Sequence, residues 1–130
     1  GFCMINEPTR LMYGPGSYII DEGYYRNMKW FIIKPGITPC AYIVLENDKV
    51  KFNIENTDKL ISPHGGITYD NKGLSLNGKT LTHKRVIGWD YGHFGDYNEY
   101  VPHPGYCWTK VEVLEHIKKT IDELYLKFCK

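Results

Sequence analysis

The polar chemistry of this sequence is concentrated in two glycine-rich segments. The first is His64-Gly65-Gly66-Ile67-Thr68-Tyr69 and the second Gly88-Trp89-Asp90-Tyr91-Gly92-His93-Phe94-Gly95-Asp96. In the second, Asp90, His93 and Asp96 fall within seven residues, set among Gly88, Gly92 and Gly95. Glycine at that density lets the backbone turn sharply and come close to a ligand or a neighbouring chain. Imidazole and carboxylate suit Zn, Mn or Fe. His64, Asp90, His93 and Asp96 are therefore candidate ligands of a divalent metal, if one is present. The same four are candidate catalytic residues without a metal, as a His general base oriented by an Asp. Backbone N–H groups around Gly65-Gly66 can hold an anion, which makes Gly65, Gly66, Thr68 and Tyr69 candidate ligand-binding residues. Trp89 and Tyr91 join them as rings able to stack on a base or sugar.

Each of these has a plainer reading. His64 suits a loop, and Asp90 and Asp96 can close Asx turns. Trp89, Tyr91 and Phe94 are either core anchors or stacking rings, and the spacing does not divide them. The glycines make no dinucleotide fingerprint, because no helical pattern follows them. Elsewhere, His103 lies between Pro102 and Pro104 and reads as structural. His116 falls on the polar side of a helix and reads as solvated, and His83 reads as a strand end. Cys40 opens an apolar run and reads as core. Glu46 ends that run and is a weaker candidate to face the site.

The elements that must position these groups are legible in outline. Residues 1–25 are rich in turn formers, with Tyr13-Gly14-Pro15-Gly16-Ser17 as a loop signal, and read as an irregular N-terminal arm. Trp30-Phe31-Ile32-Ile33 and Cys40-Ala41-Tyr42-Ile43-Val44-Leu45 are short apolar runs typical of buried strands. Val50 to Ile54 alternates with period two, as a strand wet on one face does. Asp70-Asn71-Lys72-Gly73 reads as a turn. Leu74-Ser75-Leu76 and Lys79-Thr80-Leu81-Thr82 flank Asn77-Gly78, the strongest hairpin signal in the chain. Arg85 to Asp90 is a further strand. Residues 109–129 form a helix: Thr109 and Glu112 make a capping box. Leu114, Ile117, Ile121, Leu124, Tyr125 and Phe128 form one apolar stripe, with Glu112, Glu115, Lys119 and Glu123 opposite. The expected fold is α+β: a single domain with a mostly antiparallel sheet of five to six strands, one face covered by the C-terminal helix.

Bulk composition narrows the function. A chain of 130 residues with 42% hydrophobic and 24% charged residues is globular in composition. A net charge of +1 argues against general nucleic-acid binding, which needs a basic excess. No apolar run is long enough to span a membrane. Four cysteines, at 3, 40, 107 and 129, form no CxxC pair and read as free thiols in a cytoplasm.

The two segments resemble a group of small bacteriophage and prophage proteins that carry an HGG-[LI]-T-[YF] element followed by G-F-D-x-A-H-x-G-D. Here Trp89 stands for the usual Phe and Gly92 for the usual Ala, and Cys40-Ala41-Tyr42-Ile43 is similar to a further C-G-Y-V-like element. The resemblance covers roughly residues 30 to 128. It implies a phage accessory protein in the cytoplasm of a bacterial host, with a shared site at His64, Thr68, Asp90, His93 and Asp96, and it implies no reaction. Three functions compete. One is a protein that binds a nucleotide-like or phosphorylated small molecule, favoured because buried His and Asp are costly without a purpose, and compatible with a homo-oligomer. Another is a metal-dependent hydrolase or phosphodiesterase on the same residues. The third is an anti-CRISPR-type inhibitor that binds a host protein.

Overall fold

Strand formation follows the apolar runs, and the order in which the strands pair was not readable from them. The computed structural model describes residues 16–60, 63–93, 95–96 and 105–130. Five strands, β1 (Tyr18–Tyr25), β2 (Met28–Lys34), β3 (Cys40–Val44), β4 (Tyr69–Leu76) and β5 (Lys79–Asp90), form one antiparallel sheet in the order β1-β2-β3-β5-β4. Helix α1 (Lys110–Lys127) packs against β2 and β3, so the fold is α+β as expected. The Thr109 side chain accepts from the Glu112 amide, and the Glu112 carboxylate accepts from the Thr109 amide, so the capping box is complete.

The sheet is packed on both faces, because β2, β3 and β5 alternate apolar residues to either side. Toward the helix lie Trp30, Ile32, Ile43, Ile87 and Trp89, meeting Val113, Ile117, Ile121 and Leu124. Toward the other side lie Phe31, Ile33, Tyr42, Val44 and Val86, covered by Leu74 and, at the edge, Leu76 and Leu81. The covering residues come from the β4–β5 hairpin, whose tip reaches β1: Asn77 Nδ2 donates to the Ser17 carbonyl at 2.9 Å. Asn77 and Gly78 have φ of 53° and 78°, the left-handed pair that a type I′ turn needs.

Several local expectations are corrected. Residues 18–25 are not an irregular arm but edge strand β1, paired with β2 from Tyr18↔Lys34 to Tyr25↔Met28. Its half-exposed, polar-interrupted pattern hides it from hydrophobic periodicity. Residues 1–15 of that arm lie outside the described residues. Asp70 to Gly73 is not a turn. Asp70, Asn71 and Lys72 pair with Ile87, Val86 and Arg85, and the register shifts at Gly73. The twelve-residue β5 supplies ladder partners that outweigh local turn preference, and Arg85 adds two hydrogen bonds to Asp70 at 2.9 and 2.8 Å. Val50 to Ile54 alternates in burial but is not a sheet strand; among the described residues its backbone pairs with the chain end, through the Phe52↔Cys129 bridge. On α1, Glu123 is buried rather than solvated, with Lys127 Nζ 3.3 Å away, because the stripe runs through Val113 as well as Ile117 and Ile121. Cys107 is disulfide-bonded, while Cys40 and Cys129 are free. Sulfur pairing depends on which cysteines the fold brings within reach, which sequence spacing does not report.

Candidate functional site

The two glycine-rich segments meet because β4 starts where β5 ends. The Thr68 amide donates to the Gly88 carbonyl at 2.9 Å, and Tyr69 pairs with Gly88. This brings residues 63–67, just before β4, alongside Tyr91 to His93 and Asp96, just after β5. The Tyr91 amide donates to the Pro39 carbonyl and holds the exit of β5 beside β3. A tight turn follows, with the Asp96 amide donating to the His93 carbonyl at 2.9 Å.

Asp96 is the centre of the cluster. Its residue is 6% exposed, and its carboxylate accepts from three donors. His64 Nε2 lies 2.8 Å from Oδ1 and 2.9 Å from Oδ2. Trp108 Nε1 donates to Oδ1 at 2.8 Å, and the His93 amide to Oδ2 at 2.9 Å. A carboxylate so buried is stable only with such donors around it. His93 Nδ1 sits 3.7 Å from Asp96 Oδ2 and is buried without a hydrogen-bond partner among the described residues. His64, His93 and Asp96 each offer one donor atom, all within 4.8 Å of one another.

Asp90 is placed differently from the four-ligand set expected. Successive β5 residues point to opposite faces, so Trp89 faces the helix and Asp90 does not. Asp90 Oδ1 accepts from the Gly92 amide at 3.0 Å and lies 3.5 Å from His93 Nε2, on the far nitrogen of that ring. It therefore touches the cluster through His93 only. Gly65, at φ +73°, lies flat against the same ring: a Cβ there would come within 2.7 Å of His93 Cε1. That close approach is what the first glycine permits.

The remaining candidates divide. Tyr91 is buried and its ring stacks on His64, with centroids 4.7 Å apart and planes at 11°. Trp89 is buried in the core and reaches the site only through its indole N–H, which donates to the Tyr91 hydroxyl at 3.0 Å. Thr68 is exposed, with its backbone in the ladder. Tyr69 is not in the cluster: its hydroxyl donates to the Gly73 carbonyl and its ring meets Tyr42 edge-on, on the other face of the sheet. Gly66 also has positive φ and completes the turn beside Gly65. Phe94 and His103 lie outside the described residues. Glu46 is exposed beyond Val44, at the end of β3 opposite to Cys40 and the site. Cys40 is buried core as expected, its thiol pushed up to about 11 by burial.

Two residues of the site escaped the sequence. Trp108, just before the helix, stands edge-on to His64 at 4.8 Å while donating to Asp96. His116 was expected in solvent. Instead its Nδ1 lies 2.8 Å from the Tyr91 hydroxyl, and its ring is nearly parallel to that of His64 at 5.9 Å. Burial, then the nearby His64 and Lys119, hold its pKa below the usual imidazole range. Trp89 can only donate, so the direction assigned to the relay is Trp89 N–H to Tyr91 oxygen and Tyr91 O–H to a neutral His116. Position 116 is one residue before Ile117 on the buried stripe, the only hint the sequence offered.

The arrangement can bind a cation through two imidazoles and a carboxylate, or move a proton between His64 and Asp96. Aromatic rings wall one side: Trp108 meets His64 and also the exposed Tyr106, at 4.8 Å each. Among the described residues no helix is long and apolar enough to cross a membrane. Comparisons with family models, curated proteins and solved structures each return no match.

Proposed function

We propose that this chain binds a small, phosphorylated or nucleotide-like molecule at the His64–His93–Asp96 cluster. The carrying observation is the imidazole nitrogen of His93, buried without a hydrogen-bond partner among the described residues and lying beside Asp96 of its own segment and His64 of the other. A bare buried nitrogen costs free energy unless something fills it. The Trp108 and Tyr106 rings offer a planar ligand a stacking wall. Imidazole N–H groups and the amides around Gly65-Gly66 offer donors to a phosphoryl group.

The phage-type pattern in the two segments supports an accessory role inside an infected bacterium, including an anti-defence role. The Cys107 disulfide weighs against a reducing compartment. Intact mass of freshly alkylated protein, taken from cells with and without reductant, decides between them.

A thermal-shift screen against nucleotides, cyclic nucleotides and sugar phosphates tests the binding. A ligand at a hundred times its Kd adds about 2.7 kcal/mol. At ~2.1 cal/mol/K of unfolding entropy per residue, that is about 10 °C for this chain. The shift is expected to vanish in folded His93→Ala protein. If no ligand stabilises the chain and His93→Ala simply unfolds it, the cluster is structural and an inhibitor that binds a host protein becomes the better account.

A further inference from the structure

We infer that the cluster is a divalent-metal centre, with His64 Nε2, His93 Nδ1 and Asp96 as its protein ligands and Asp90 as the outer carboxylate that sets His93. This rests on the cluster being a ligand site and names the ligand that occupies its core. The donor set of two imidazoles and one carboxylate is of the kind taken by Zn, Mn and Fe.

Four observations converge on the ion. The two donors next to Asp96 lie 2.8 and 3.7 Å from its oxygens, close to the separation of about 3 to 3.5 Å between ligands held ~2.1 Å from one metal. All three donor atoms fall within 4.8 Å, so a small swing of the His93 ring brings them onto one centre. The nitrogen that would bind is His93 Nδ1, which has no hydrogen-bond partner among the described residues, while the ring's other nitrogen, Nε2, faces Asp90 at 3.5 Å. If the swing of the His93 ring onto the ion also closes this 3.5 Å gap, the Asp90 carboxylate would hold the proton on Nε2 and present Nδ1 as a lone pair, the usual outer-shell arrangement of metal-bound histidine. Asp96 is oriented in the same manner by Trp108 Nε1 and the His93 amide.

The ion would take the place of the hydrogen bond between His64 Nε2 and Asp96, and a neutral His64 would then carry its one proton on Nδ1. Three protein ligands leave open positions, which suits water or a phosphoryl oxygen rather than a closed structural site. His93 is a third exposed while its Nδ1 is buried, so solvent would reach the ion past the edge of this ring.

The test uses the untagged 130-residue chain stripped with chelator and then titrated with Co(II), Zn(II) and Mn(II). Binding of one ion per chain is expected, with Co(II) giving d–d absorption and the ions raising Tm. His93→Gln and Asp96→Asn, each checked for fold by circular dichroism, are expected to lose the Co(II) spectrum. Asp90→Asn is expected to keep the stoichiometry and weaken affinity about 10- to 100-fold. Retention of wild-type Co(II) affinity in a folded His93→Gln variant overturns the inference, as does a wild-type chain that takes up no ion. The nucleotide and sugar-phosphate screen on stripped protein separates the two proposals. Stabilisation by such a ligand without any metal uptake sinks the metal centre and leaves the binding proposal standing, whereas silence in both assays removes both.

Discussion

Replacing Gly65 with alanine probes the closest backbone approach in the site. At φ +73° any other residue pays the left-handed penalty, roughly 1–2 kcal/mol. The added Cβ would also sit 2.7 Å from His93 Cε1 and 3.0 Å from both ring nitrogens. Pushing that ring aside costs about 1–3 kcal/mol by analogy with overpacking. The sum is ~2–5 kcal/mol. For 130 residues at ~2.1 cal/mol/K each, the unfolding entropy is about 270 cal/mol/K. Gly65→Ala should therefore lower Tm by roughly 7–18 °C, read by circular dichroism, and shift the His93 imidazole resonances in NMR. A double-mutant cycle separates the two parts. With His93→Ala in the background the ring is gone and only the φ strain remains. The pair should be less destabilised than the sum of the singles by about 1–3 kcal/mol. Additivity within ~0.5 kcal/mol, or an unchanged Tm for Gly65→Ala, would refute the packing of Gly65 on His93 and with it the placement of the bare nitrogen.

Further predictions follow from single contacts. Trp108→Phe keeps an aromatic ring but removes one of three donors to the buried Asp96 carboxylate; a loss of about 1–3 kcal/mol in urea unfolding is expected, and no loss would mean Asp96 does not need the indole N–H. Tyr91→Phe leaves the buried Trp89 N–H without its acceptor and should destabilise by a similar ~1–3 kcal/mol; a neutral result would break the relay. Thr109→Ala removes the helix cap and should cost about 0.5–2 kcal/mol without touching ligand or metal binding. The folded state holds His116 below its unfolded value of about 6.5, so the unfolded chain takes up this proton first as pH falls. The stabilisation is complete above that value and declines as pH drops through it toward the folded pKa. Urea unfolding between pH 8 and 5 should show that decline, and its persistence unchanged in His116→Gln would assign it to another group.

What the sequence determined by itself is local. The capping box at Thr109 and Glu112, the Asn77-Gly78 turn and the apolar runs of β2 and β3 need only neighbouring residues, and each stands where the pattern placed it. Proximity of the two glycine-rich segments was conditional on β4 and β5 pairing, which the hairpin signal made readable. Tertiary structure decided the rest, because burial and partner choice depend on residues far away in the chain. It recruited the polar-interrupted residues 18–25 as an edge strand and drew Asp70 to Lys72 into a ladder against β5. It also sorted the candidates by strand face. Period-two alternation carried Tyr69 to the far side and turned Asp90 onto the outer nitrogen of His93. Trp108, just before the helix, and His116, on it, entered the site from some 12 and 20 residues beyond Asp96. No spacing rule within one segment could have shown that they complete it.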